Sequence, residues 1–222
     1  MIEFNLIWLI IVLVNVISFV LMIVTSLING GKKDKGFSFT NYFPYENYSY
    51  ITRVFSILYA ISLFASLATI LPFVGDLKEN SILPIITTFI IGCSGIAIVL
   101  TYLIPLKYEK EHLIISTVLM SLTFLSLALA STRQILAYSM LNRFSEGGYH
   151  LILGIIGVLF TLLMGVIIFN PKLKNWANLE EHLKGDEKYY IRPKFFPLAY
   201  SEWSAIGLSL VAQILFLTSL IN

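Results

Sequence analysis

Six apolar runs, each long enough to cross a lipid bilayer as a helix, dominate this chain and restrict what it can fold into. A helical crossing takes about 20 mainly apolar residues. Runs of that kind fall near residues 6–28, 53–74, 81–105, 113–138, 149–169 and 200–221. Breakers and charge separate them: Gly30-Gly31-Lys32-Lys33, Gly75-Asp76, the stretch from Lys107 to His112, that from Arg143 to Gly148, and a polar segment from Asn170. Pro72, Pro84 and Pro105 fall near run ends, where a missing backbone donor costs least. The expected fold is all-α: a polytopic integral membrane protein whose residues 1–222 form one transmembrane domain, a six-helix bundle.

Composition agrees. Apolar residues make up 57% of the 222 and charged residues 13%, against about 25% charged in soluble domains. The formal charge of +2 is too small to suggest nucleic acid as a partner. The single cysteine, Cys93, excludes an intramolecular disulfide and sits in an apolar run as a packing residue. Near the N-terminus, Glu3 precedes a run of 23 apolar-rich residues (6–28). A cleaved signal peptide has a basic start and a shorter core, so this run is expected to stay as a span.

Lys and Arg set the expected orientation through the positive-inside bias. Counting Arg53, twelve of them flank the loops after the first, third and fifth runs, and only Lys78, Arg133 and Arg143 lie opposite. Loops 29–52, 106–112 and 170–199 are therefore expected to be cytoplasmic, with both termini outside.

Small residues recur at four-residue spacing inside the runs: Ser62 and Ser66, Thr88 and Gly92, and Gly157, Thr161 and Gly165, with Gly154 at the edge. Such stripes let helix backbones approach closely. Packing within the bundle is the first reading, and a homodimer through the fifth span is the alternative.

Two of the loops expected to be cytoplasmic are rich in aromatics, and each carries Phe-Pro followed closely by Tyr-Ser (Phe43-Pro44 with Tyr48-Ser49, Phe196-Pro197 with Tyr200-Ser201). Tyr and Trp favour the headgroup level, but the density here also suggests that the loops pack together as a cap. Interleaved cations suit anionic lipid headgroups, which makes Tyr45, Tyr48, Arg192, Lys194, Tyr200 and Trp203 candidate ligand-binding residues. Between the fifth and sixth runs a short amphipathic helix is expected. Asn170 would cap it, Pro171 would open it and Gly185 would end it.

Little in the chain points to catalysis. Gly92-Cys93-Ser94-Gly95 resembles the GxSG nucleophile motif of rhomboid intramembrane proteases. That chemistry needs a histidine within hydrogen-bond reach, and the last run has none. Helix packing is the better account of both glycines. His112 and His182 are expected outside the hydrocarbon, metal-ligand spacing is absent, and no cofactor or metal is expected. The pairs Glu180-Glu181 and Glu109/Glu111 read as solvated charges, and no charged residue reads as deeply buried in a span. Arg133, Gln134, Arg143, Glu146 and His150 flank one short outer loop and read chiefly as anchors and solvated groups.

Two carboxamides remain inside the bilayer, Asn15 and Gln213, at depths of about 14 Å and 12 Å from their outer ends at the helical rise. Interhelical hydrogen bonding is the first reading and a polar binding point the second. The functional expectation is a non-enzymatic multi-pass protein that binds a lipid, a small solute or a membrane partner. An accessory or substrate-binding subunit of a transport system fits that description, with a channel or carrier, or an intramembrane or lipid-headgroup enzyme, as alternatives. In size and span count alone, the chain is similar to the vitamin-binding subunits of energy-coupling-factor transporters, with no shared motif.

Overall fold

The computed structural model describes residues 2–29, 37–46, 49–65, 82–105, 107–141, 144–175, 180–184, 187–191 and 195–220. Among these, six long helices follow one another: α1 (Ile2–Asn29), α2 (Tyr50–Ala65), α3 (Ile82–Leu103), α4 (Glu109–Leu141), α5 (Phe144–Ile168) and α6 (Pro197–Thr218). All but α2 are long and apolar enough to cross a membrane. Helix α2, of 16 residues, is apolar as a whole though it carries Arg53, and the rest of its expected run lies outside the described residues.

Helix α6 is the post of the bundle, packed against α1, α3, α4 and α5. It is the least apolar of the five long helices and by far the most buried, whereas α1 and α5 are the most apolar and the most exposed. That ordering suits a lipid solvent. Outer helices must be apolar where they meet hydrocarbon, while the central one is free to carry polar groups that find partners inside. Leu13 and Ile17 on α1, and Leu159 and Val166 on α5, belong to such outer faces.

Glycine sets two of the closest helix approaches. A Cβ on Gly95 of α3 would stand 2.6 Å from the backbone oxygen of Ala60 on α2. One on Gly157 of α5 would stand 2.2 Å from the Ser131 hydroxyl of α4. The stripe on the fifth span thus faces α4: Gly154 meets Ile135, and Gly165 faces Phe124 at ordinary contact distance.

Two expectations need correction. The segment after α5 opens as foreseen, with Asn170 Oδ1 accepting from Lys172 N and a 3-10 turn over Pro171–Asn175. It does not continue as an amphipathic helix. Strands β1 (Glu180–Lys184) and β2 (Glu187–Ile191) form an antiparallel hairpin whose backbone register pairs Lys184 with Glu187. The two residues between them, Gly185 and Asp186, have the length and composition of a tight hairpin loop, a local signal that outweighs the weak helical pattern. Second, α4 begins at Glu109, so His112 belongs to the helix rather than to a loop.

Candidate functional site

The start of α6 is fixed by Pro197 at its first position, preceded by extended Phe196. The backbone N–H of Phe196 is directed away from the helix, to Thr40 O at 2.6 Å. This bond fastens the segment 37–46 across the end of the bundle. The indole N–H of Trp203 adds a second tie, to Tyr42 O at 2.8 Å, and the rings of Phe37 and Phe39 meet the Trp203 ring edge-on. Phe43 packs on Phe196 with centroids 5.1 Å apart. Segment 37–46 and the residues at the start of α6 thus form a cap.

Beneath it lies a group of polar side chains that the sequence reading did not assemble. Glu202 stands about 7 Å into α6 at the helical rise and is fully buried, as are His112 and Ser116 of α4. His112 Nδ1 is 2.7 Å from the carbonyl oxygen of Ile104, and its Nε2 is 3.0 Å from Glu202 Oε1. A carbonyl only accepts, so Nδ1 carries hydrogen, and the approach of Nε2 to the carboxyl group then requires a proton between them. The pair is imidazolium–carboxylate or imidazole–carboxylic acid. Ser116 Oγ donates to the same Oε1 at 2.5 Å. The other carboxyl oxygen, Oε2, has no hydrogen-bond partner among the described residues. Phe43 and Tyr45 set their rings edge-on to the imidazole, each 5.3 Å away, and close the site from above.

Two further polar levels lie deeper. About 16 Å along α6 from Glu202, Asn15 of α1 donates from Nδ2 to Gln213 Oε1. Ser62 of α2 donates to Asn15 Oδ1 at 2.7 Å, and Gln213 Nε2 donates to Ser62 O at 3.1 Å. All three side chains are buried, so α1, α2 and α6 meet in a closed ring of hydrogen bonds. At the far end of α4, Gln134 Nε2 donates to Leu215 O and to Thr218 Oγ1, both at 2.6 Å, and Gln134 Oε1 is 2.7 Å from His150 Nδ1. Gln134 and His150 are fully buried, not solvated as their place beside a loop suggested. Between levels the helices carry apolar core residues such as Leu119, Leu127, Ala205 and Ala212, together with the buried hydroxyls of Thr123 and Ser209, paired at 3.0 Å.

The sequence candidates are thus spread over distinct places. Asn15 and Gln213 meet each other, Tyr45 and Trp203 belong to the cap over Glu202, and Tyr200 is partly exposed against Phe195. Tyr48, Arg192, Lys194 and Arg143 lie outside the described residues. Ser94 donates to Ile91 O of its own helix at 2.6 Å, a packing arrangement. No group of side chains suited to a metal ion is present among the described residues. The chain matches no protein-family model, no curated protein and no solved structure.

Proposed function

We propose that the chain is a six-span integral membrane protein that works by binding, at its capped end, a lipid, small solute or membrane partner that offers a hydrogen-bond donor. One observation carries this reading: Glu202 Oε2 is buried and, among the described residues, without a hydrogen-bond partner, beside a proton-sharing histidine and beneath a lid made of loop residues. An ionisable residue within a spanning helix is costly and marks function by default. The lid consists of segment 37–46, held at one edge by the Thr40–Phe196 bond, so a ligand reaches Glu202 when that segment lifts.

Conduction is less well supported. The amides at the middle level satisfy one another, and between the levels the Thr123 and Ser209 hydroxyls are paired at 3.0 Å, so the described residues present separate polar pairs. Catalysis is no better supported: the Ser116 hydroxyl donates to a carboxyl oxygen that already faces His112. The capped end brings together the loop after α1, the start of α4 and the start of α6, and most Lys and Arg residues belong to this side in sequence. The positive-inside bias then makes the capped end cytoplasmic and both termini external.

Native mass spectrometry of the protein extracted in mild detergent tests the reading. A small-molecule or lipid adduct is expected on the wild type, lost in Glu202→Gln and kept in Asn15→Leu. If every adduct seen on the wild type persisted in Glu202→Gln, the reason to place the site there would be gone.

A further inference from the structure

A groove on the outside of the bundle, between α2 and α3, is a separate matter from the capped site. Near the start of α2 it opens as a recess of about 70 Å³ lined by Arg53, Ser56, Ile57, Val99 and Tyr102. It continues along the same two helices as a second, shallower recess of about 280 Å³, lined by Ala60, Ile61, Phe64, Gly95 and Ile96, with Val99 common to both. Because Gly95 lets α3 approach the Ala60 backbone, the floor here is main chain and small side chains, while Ile61, Phe64 and Ile96 stand outward as walls.

The polarity of the groove is graded. Its upper end holds a guanidinium, the Ser56 hydroxyl and the Tyr102 phenol, which lies 3.4 Å from Met22 Sδ. Every residue lining the lower recess is apolar or glycine. From Arg53 to Phe64 is eleven residues, about 16 Å of helix, or half of the roughly 30 Å hydrocarbon thickness. A groove with a cation at its mouth and one leaflet of apolar length below it suits an acyl chain along its floor and an anionic headgroup at its end. Lys107, beyond the end of α3, adds positive charge on the same side.

We propose that the α2–α3 groove binds one anionic phospholipid, with its phosphate at Arg53 and an acyl chain along Val99, Gly95 and Phe64. Arginine is suited to this because its planar fork matches phosphate oxygens; the Ser56 and Tyr102 hydroxyls, which donate to Arg53 O and Met22 Sδ, border the headgroup without supplying its hydrogens. The proposal rests on the membrane-embedded reading but not on Glu202.

The test is native mass spectrometry of the full chain in detergent, titrated with dioleoylphosphatidylglycerol or dioleoylphosphatidylcholine, which share tails and differ in head. One saturable phosphatidylglycerol adduct is expected, with phosphatidylcholine binding at least tenfold weaker. Arg53→Gln should weaken the adduct by about tenfold, the effect of one charge-assisted hydrogen bond, and Val99→Trp should abolish it by filling the groove. Should Val99→Trp fail to fold, Ile61→Trp narrows the same groove from an outward-facing position and should give the same loss. Ile155→Trp, on the exposed face of α5, should change nothing. Glu202→Gln should leave the adduct intact, which separates this site from the capped one. Equal binding of the two lipids, binding indifferent to the groove variants, absence of both adducts, or complete displacement by inorganic phosphate would each overturn the proposal.

Discussion

Nε2 of His112 stands 3.0 Å from Oε1 of Glu202, with neither side chain reached by solvent. Removing one member of such a pair strands a buried ionisable group, at a cost of about 3–5 kcal/mol, whereas replacing both with apolar groups is often neutral or better. Glu202→Ala should therefore destabilise the protein strongly, and His112→Phe combined with Glu202→Leu should recover most of the loss. Unfolding in mixed micelles measures both. Equal stability of the single and double variants would mean that the two residues are not coupled.

The ring joining Asn15, Ser62 and Gln213 is a smaller stake. Hydrogen bonds between membrane helices average about 0.6 kcal/mol and reach about 1.7. A double-mutant cycle on Asn15→Leu and Gln213→Leu should return a coupling within that range, toward its upper part because both amides are fully buried. A coupling near zero would show that the contact adds nothing to the assembly of α1 on α6.

Glycine substitutions should sort by what a methyl group would meet. Gly95→Ala drives a Cβ into the Ala60 backbone, which has no rotamer to change, and overpacking of this kind costs about 1–3 kcal/mol. Gly165→Ala finds only ordinary contact, 3.5 Å from Phe124, and should be tolerated. Thermal unfolding of the two variants side by side checks the ordering, and a reversed order would contradict the α2–α3 approach.

Topology has its own test. In a Cys93→Ser background, Asn222→Cys should react with a membrane-impermeant maleimide on intact cells, and Lys107→Cys should react only after permeabilisation. The opposite pattern would invert the orientation.

The sequence was most informative about the long helices and least about the site, for a physical reason. Hydropathy is local, and α1, α3, α4, α5 and α6 emerge wherever apolar residues run on for long enough. The pairing of His112 with Glu202 joins positions 90 apart, and no local pattern encodes that. Each was visible alone: His112 just ahead of the fourth run, and Glu202 as an acid inside the sixth. The second should have been weighed, since a carboxylate in a spanning run is costly enough to need an explanation. Asn15 and Gln213 fared better because a lone amide in a span announces its need for a partner, though not which one. The hairpin after α5 was missed because a helical pattern was preferred to Gly185-Asp186, a tighter cue.

The bond from Phe196 to the Thr40 carbonyl spans 156 residues of chain. During synthesis, five of the six long helices are made before the residue that fastens the first loop exists. Until then the aromatic segment 37–46 can meet His112 of α4 but lacks Phe196 and Trp203 to fasten it, and Asn15 has no Gln213 to receive its hydrogen. Assembly is therefore last-in, all-closed: arrival of the final helix completes the cap, the amide ring and the carboxyl site together. A chain stopped after α5 would expose each of these unfinished surfaces at once, a condition that membrane quality-control proteases are suited to detect.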